Sequence, residues 1–163
     1  MAVILPVSTS SGVLASATPK VEDLSSLGTS SSNEEISAGL SAEAHKAELS
    51  ESGNILSVTW SIQNTGSSGV DFNWPSGKSY MYSNPSHYSG VTITPSDQRS
   101  RYHPVMNGES ECLCSGDTSL DFKERIEPGE QVAYWSMFSV PSDVDTITLE
   151  IPGFDPIEDI PIS

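Results

Sequence analysis

Basic residues are scarce in this sequence: seven Lys and Arg stand against 22 Asp and Glu, for a net charge of −15. The deficit is concentrated in residues 109–163, which carry thirteen acids and two bases. Such a chain repels the phosphate backbone of nucleic acids and the surface of anionic lipids. We therefore predict no nucleic-acid partner. The charge indicates a solvated surface, with cation binding as the alternative.

Aromatic residues are absent before Trp60, since all the Trp, Phe and Tyr lie at or after that position. Residues 18–42 instead mix Ser, Thr, Gly and acids with isolated Leu and Ile. A segment of this composition buries too little apolar surface to offset the entropy lost on ordering. We predict an acidic, Ser-rich linker over residues 18–42, a disordered N-terminal tail, and a compact domain over residues 43–163.

Long hydrophobic runs are also missing, and a membrane-spanning helix needs about 20 apolar residues. We therefore predict no membrane insertion. The short apolar stretch Ala2–Val7 is followed by Ala15-Ser16-Ala17, which fits a signal-peptidase site, although no basic residue precedes the stretch. We predict that residues 1–17 are the remnant of a secretory signal and that the protein is secreted or held in the cell envelope. The alternative is a disordered N-terminus that contains the triplet by chance.

Recognisable catalytic motifs are lacking as well. The sequence has no G-x-S-x-G element, and His45, His87 and His103 do not form an H-E-x-x-H pattern. His103 precedes Pro104 in a predicted strand, where a packing or hydrogen-bonding role is the simpler interpretation. We predict that the protein is not an enzyme and needs no cofactor.

Acidic residues near the C-terminus offer oxygen atoms that calcium could use, but no EF-hand pattern is present. A solvated sheet edge, where charge prevents edge-to-edge pairing, is the simpler interpretation. The candidate calcium ligands are Asp143, Asp145, Asp155, Glu158 and Asp159.

Cysteine occurs only twice, at Cys112 and Cys114. On an extended strand, residues two apart lie about 6.6–6.8 Å from each other, at the edge of the range for a disulfide. A bridge therefore needs a local bend, but a secreted protein with two cysteines has no other internal pairing. We predict an external Cys112–Cys114 disulfide. Two free thiols, metal binding and an intermolecular bond are the alternatives.

Alternating polar and apolar residues are plentiful. In residues 55–64, Leu56, Val58, Trp60 and Ile62 share one side, which predicts a half-buried strand. Residues 42–49 are predicted as a strand paired to it through residues 51–54, because a helix of eight residues is short. Further strands are predicted over residues 70–74, 91–94, 101–105, 131–140 and 145–151, with a short strand or bend over residues 111–115. Pro152 ends the last of these strands.

Turn signals separate these segments at intervals of about ten residues, which is typical of a β-sandwich. Pro128-Gly129 fits the two central positions of a type II turn. We predict an all-β fold, an immunoglobulin-like antiparallel β-sandwich of seven to nine strands. The Cys…Trp…Cys spacing of antibody domains is absent, so the likeness is architectural.

The loop over residues 75–89 is rich in Ser, Gly, Asn and Pro and also contains tyrosines. Aromatic residues on a loop can form a recognition surface for a sugar or a protein. The alternative is that they fold back onto the sandwich, because aromatic rings bury large areas. The candidate binding surface consists of Trp74, Tyr80, Tyr82 and Tyr88.

Several elements from about residue 50 onward match one known pattern: residues 58–66, 101–104, 112–115, 128–130, 151–154 and 160–162. In these elements the chain resembles an immunoglobulin-like domain of secreted or cell-envelope actinobacterial proteins. Such domains often precede a peptidoglycan-binding domain of the outer-membrane-protein-A type. This sequence stops where that second domain would begin, so the resemblance implies an accessory module and no cell-wall-binding or catalytic residues.

Together these features predict a non-enzymatic extracellular or cell-envelope module with a structural or protein-binding role. Its expected partner is another envelope protein or its own copies. The alternative is a module that binds a small ligand, a sugar or calcium, through the Tyr80–Tyr88 loop or the acidic C-terminal edge. An enzyme is the third hypothesis, which two carboxylates facing one cleft would favour.

Overall fold

The strand predicted over residues 55–64 from alternating polar and apolar residues pairs with a neighbouring strand on each side. The computed structural model describes residues 21–75, 88–116 and 123–163. Strand β2 (Leu40–Leu49) pairs antiparallel with β3 (Ile55–Asn64), and β3 pairs antiparallel with β7 (Gln131–Ser139). Strand β1 (Gly28–Ser31) adds to β2, which gives a four-stranded sheet in the order β1-β2-β3-β7. The predicted hairpin of residues 42–64 is thereby confirmed.

A second, three-stranded sheet has the order β5-β8-β9 and is also antiparallel. Its strands are β5 (Thr92–Pro95), β8 (Thr146–Glu150) and β9 (Ile157–Pro161). Strands β4 (Val70–Asp71) and β6 (Arg125–Ile126) pair with each other and form a separate two-stranded sheet. Strand β9 was not predicted, because Pro152 was expected to end the last pairing.

The hydrophobic core is formed by the side chains that the two sheets turn toward each other. On β3 these are the predicted residues Leu56, Val58, Trp60 and Ile62, none of which is exposed. The second sheet contributes Ile93, Ile147, Leu149, Ile157 and Ile160. This arrangement is an immunoglobulin-like antiparallel β-sandwich, as predicted, with nine strands in the described residues.

Trp60 lies at the centre of an aromatic cluster within this core. Its ring centroid is 4.9 Å from that of Tyr134 and 5.7 Å from that of Tyr88, with Phe72 at 6.1 Å. The indole Nε1 donates a hydrogen bond to Ser136 Oγ at 3.3 Å. The buried polar atom of the largest core side chain therefore has a partner, as buried polar groups require.

The two sheets are joined along the side where β1 meets β9. Ser32 forms a bridge with Phe154, and the Asp155 amide donates to Ser31 O at 3.0 Å. Gly28 packs so closely here that a Cβ atom would lie 2.7 Å from Ile157 Cγ2. The sandwich is therefore closed on this side by backbone contacts between its sheets.

The predicted linker over residues 18–42 requires correction. Within the described residues of this segment, β1 pairs with β2, and Leu40 and Ala42 belong to the core. The sandwich therefore begins before residue 43. Composition did not predict this strand, because the Ser-rich β1 is held extended by pairing with neighbouring segments and not by burial of its own side chains. Residues 1–20, including the predicted signal remnant, lie outside the described residues.

Residues ahead of β1 cross the outer face of the four-stranded sheet. The Leu27 amide donates to Ala44 O at 2.7 Å, and Ser25 O contacts His45 Nδ1 at 3.1 Å. A bulge between Ala44 and Lys46 interrupts the pairing of β2 at His45. In the described ranges, no helix is long and apolar enough to cross a membrane.

Candidate binding cleft

An open cleft of about 720 Å³ lies beside the three-stranded sheet. One wall comes from the turn containing Asn33 and Glu34, and another from residues 151–156 after β8. Thr92, Arg101, His103 and Glu150 supply polar side chains, and Phe154 and three other apolar residues supply carbon surface. A cleft of this volume and mixed lining is suited to recognising a ligand or a side chain of a partner.

Hydrogen bonds from two segments, residues 33–37 and Trp74, fix the backbone that forms the floor of the cleft. Trp74 Nε1 donates to Pro152 O at 2.9 Å, and the Asn33 amide donates to Gly153 O at 3.0 Å. The buried Ser37 hydroxyl also donates to Gly153 O. Each donor satisfies a carbonyl that lies between β8 and β9, so this floor is held in one conformation.

Gly153 is required at this position for two reasons. Its φ of +94° lies in the region that residues with a side chain rarely adopt. A Cβ atom here would also lie 3.1 Å from both Ser37 Oγ and Trp74 Nε1. The glycine therefore lets the chain turn while the serine and the indole approach its backbone.

Arg101 and Glu150 form a bidentate ion pair in the cleft. Arg101 Nε lies 3.0 Å from Glu150 Oε2, and Arg101 Nη2 lies 2.6 Å from Glu150 Oε1. Thr94 Oγ1 also donates to Glu150 Oε2, at 3.3 Å. This parallel geometry is the stronger form of an arginine–carboxylate contact. The guanidinium charge is therefore already balanced within the protein.

His103 contributes an uncharged ring to the same cleft. Burial lowers the pKa of His103 below its ordinary value, and the positive charge of Arg101 lowers this pKa further. The imidazole is therefore neutral at pH 7. The predicted packing or hydrogen-bonding role agrees with this position, although the sequence did not place His103 beside Arg101 and Glu150.

The predicted aromatic binding surface is not assembled as expected. Tyr88 is fully buried in the core, and its hydroxyl donates to Phe72 O at 2.7 Å. Burial raises the pKa of Tyr88, so the phenol stays neutral. For Tyr88 the surface assignment is therefore wrong and the alternative, that the ring folds back onto the sandwich, is confirmed, because the ring packs against Trp60 and Phe72. Trp74 is partly buried, and Tyr80 and Tyr82 lie outside the described residues.

Cys112 and Cys114 lie at disulfide distance, with their sulfur atoms 2.02 Å apart. Their Cα atoms are 5.3 Å apart, closer than two such residues on an extended strand, so the chain bends at Leu113. Both cysteines are fully buried, which corrects the expectation of an external bridge. The bent segment lies along β7, where the Met137 amide donates to Leu113 O at 2.9 Å.

The candidate calcium ligands do not come together. In the parts of the chain that the structure describes, no three His, Cys, Asp or Glu side chains are grouped closely enough to hold a metal ion. Asp143 and Asp145 lie in a shallow depression with Asp97, while Asp155 contacts Asn33 beside the cleft. Glu158 and Asp159 are exposed on β9.

A serine–histidine contact lies on the opposite sheet. Ser61 Oγ is 2.7 Å from His45 Nε2, a geometry that a nucleophile and its base would need. Ser61 is fully buried, however, and its oxygen already accepts a hydrogen bond from Gln131 Nε2 at 2.8 Å. A substrate has no path to this hydroxyl, so the contact supports the sheet.

Comparison with known proteins gives two remote structural similarities. The secreted protein MPT63 of Mycobacterium tuberculosis is 13% identical, with a TM-score of 0.44 over 85% of this chain and 92% of that chain. A functionally unknown protein from Listeria monocytogenes EGD-e is 12% identical, with a TM-score of 0.41 over 85% of each chain. No protein-family model matches the sequence, and no curated protein matches it significantly. The actinobacterial resemblance therefore stays a prediction.

Proposed function

We propose that this protein is a non-enzymatic, immunoglobulin-like module that acts outside the cytosol and binds another protein through the cleft at Arg101 and Glu150. The observation that carries the proposal is the fixed floor of this cleft. Pro152 O and Gly153 O are held by Trp74 and by Asn33 and Ser37 of the turn before β2, which are two distant parts of the chain. A preorganised surface loses little entropy on binding, which favours recognition.

Two features support an extracellular location. Ala15-Ser16-Ala17 fits a signal-peptidase site. The Cys112–Cys114 pair is placed for a disulfide, and disulfides persist in oxidising compartments. Together these features favour a partner at the cell surface or in the medium.

Site-specific photo-crosslinking tests the proposal. The exposed Asn33 lies at the cleft, and the exposed Ser139 lies at the end of β7, so benzoylphenylalanine at Ser139 is a matched control. Each variant is irradiated with the envelope and extracellular fractions of the source organism. We expect one defined adduct from position 33 and none from position 139. No adduct at position 33, or equal adducts at both positions, would refute binding through the cleft.

A small polar ligand, such as a sugar, is the second candidate, because the cleft volume lies within the range of small-molecule sites. Thermal unfolding with a panel of mono- and disaccharides tests it. We expect a sugar that binds to raise the melting temperature of the protein but not of the Arg101→Ala variant. No shift with any sugar, or the same shift in both proteins, would contradict this candidate.

A further inference from the structure

The chemistry of the partner follows from which charges in the cleft are already balanced. Arg101 is paired with Glu150 through two contacts, at 3.0 and 2.6 Å. The cleft also contains Glu34, which precedes the 3₁₀ helix Glu35–Ser37. The side chain of Glu34 is exposed and makes no capping hydrogen bond to this helix. Among the described residues, no cation pairs with Glu34, so the cleft keeps one unbalanced negative charge.

The surroundings of the cleft extend this negative potential. Asp155 lies beside the cleft, where its Oδ1 accepts a hydrogen bond from Asn33 Nδ2 at 3.3 Å. The whole chain carries a net charge of −15. Because Arg101 is balanced by Glu150, the net charge of the cleft is negative, and a negative potential attracts cationic ligands. An anionic ligand would meet Glu34 and would have to displace Glu150 from Arg101.

The floor of the cleft provides carbon surface next to this charge. Pro152, Phe154 and Pro156 line the cleft together with the backbone of Gly153. The long side chains of lysine and arginine pack their methylene groups on such surface while the charged end meets a carboxylate. A bare metal ion would gain nothing from carbon surface, and a neutral sugar would gain nothing from the charge of Glu34.

We infer that the cleft receives a lysine or arginine side chain from a basic segment of the partner protein, with Glu34 as its counter-charge. This inference rests on the proposed function, since it names the chemistry of the partner at the same site. Pro152 and the exposed Pro156 contact the stem of the incoming side chain, and the Arg101–Glu150 pair remains intact.

Binding of a tetralysine peptide to the full chain tests the inference, with tetraglutamate as the anionic probe. The matched variants are Glu34→Gln and Glu35→Gln, which have the same net charge; both residues are exposed, but only Glu34 lines the cleft. Isothermal titration calorimetry is done at low ionic strength and repeated at about 0.3 M salt, where exposed charges are screened. We expect Glu34→Gln to weaken tetralysine binding about two- to fivefold, the size of one exposed ion pair, and Glu35→Gln by clearly less than about twofold.

Equal weakening by both variants would show non-specific attraction to an acidic protein and would overturn the inference. Binding of tetraglutamate at similar affinity would also overturn it. The outcome is separable from that of the proposed function. A crosslinked partner at position 33 without tetralysine binding would refute only the inference that the cleft receives a cationic side chain. Glu34-dependent tetralysine binding without an adduct would refute only the proposal that the partner is a protein.

Discussion

The hydroxyl of Ser61 lies 2.7 Å from Nε2 of His45, and this contact fixes the orientation of a buried imidazole. His45 Nδ1 faces the carbonyl of Ser25, which can only accept, so Nδ1 carries a proton and donates to it. Ser61 Oγ also accepts a hydrogen bond from Gln131 Nε2. The chain of hydrogen bonds runs from β7 through β3 and β2 to the N-terminal segment, and it holds that segment on the sheet.

Replacing His45 by alanine is expected to destabilise the protein by about 1–3 kcal/mol, because the buried Ser61 hydroxyl loses one of its two partners. Residues 21–27 should then become accessible to protease, since Ser25 loses its contact with the sheet. Lys46→Ala is the control, as its pair with Glu48 is exposed and contributes little. Urea midpoints and limited proteolysis measure both effects, and equal behaviour of the two variants would contradict this role.

Cys112 and Cys114 are expected to be oxidised to each other in the mature protein. Alkylation without reductant should leave the intact mass unchanged. Labelling of both thiols would show that the disulfide is absent. The Cys112→Ala, Cys114→Ala double variant should lose less than the roughly 3 kcal/mol that chain entropy assigns to a bridge closing a 15-residue loop, since this loop is far shorter.

The same double variant should also loosen the edge of β7. The Trp135 amide donates to Ser115 Oγ and the Met137 amide donates to Leu113 O, both across the bent segment. Hydrogen exchange at these two amides should therefore accelerate, while the amides that pair β7 with β3 remain protected. Unchanged exchange at Trp135 and Met137 would show that the bend persists without the bridge.

Trp60→Ala is expected to cost about 3–5 kcal/mol, because it removes a large, fully buried side chain from the centre of the core. Trp135→Ala is the matched control, since Trp135 is only partly buried and follows Tyr134, which points into the core. Denaturant unfolding of both variants measures the difference. A Trp60→Ala midpoint equal to that of the wild type would refute the central position of this residue.

The lowered pKa of His103 predicts a pH dependence of stability. Below about pH 6.5 the unfolded state takes up a proton that the folded state resists, so the free energy of unfolding should fall as the pH falls. His103→Gln should reduce this slope. The positive charge of Arg101 acts in the same direction as burial. An NMR titration midpoint for His103 at or above about 6.5 would contradict the prediction.

The sequence predicted those elements whose pattern is local. Strand β3 has the predicted bounds of residues 55–64, because strict alternation requires one face to be buried. The turn at Pro128-Gly129 is confirmed by a φ of +80° at Gly129 and a hydrogen bond from the Glu130 amide to Glu127 O. Both signals lie within a few residues and need no knowledge of the rest of the chain.

Features that depend on distant residues were missed. Strand β1 has no apolar alternation, and it is extended because β2 and residues 153–155 pair with its two edges. The cleft combines Glu34, Arg101 and Glu150, which no spacing in the sequence connects. Tyr88 was predicted to lie in a loop because its neighbours are Ser, Gly, Asn and Pro, but its ring packs in the core against Trp60. Only the tertiary structure brings these groups together.

The backbone bonds along the rims of both sheets limit how any partner can dock. Asp155 binds the outer edge of β1, Tyr102 exchanges two bonds with Ile93 of β5, and the bent cysteine segment covers β7. A foreign strand that extends a sheet needs a row of free amides and carbonyls. At these three rims part of that row is already bonded within the protein, so an added strand would have to displace these contacts, whereas side-chain recognition would leave them intact.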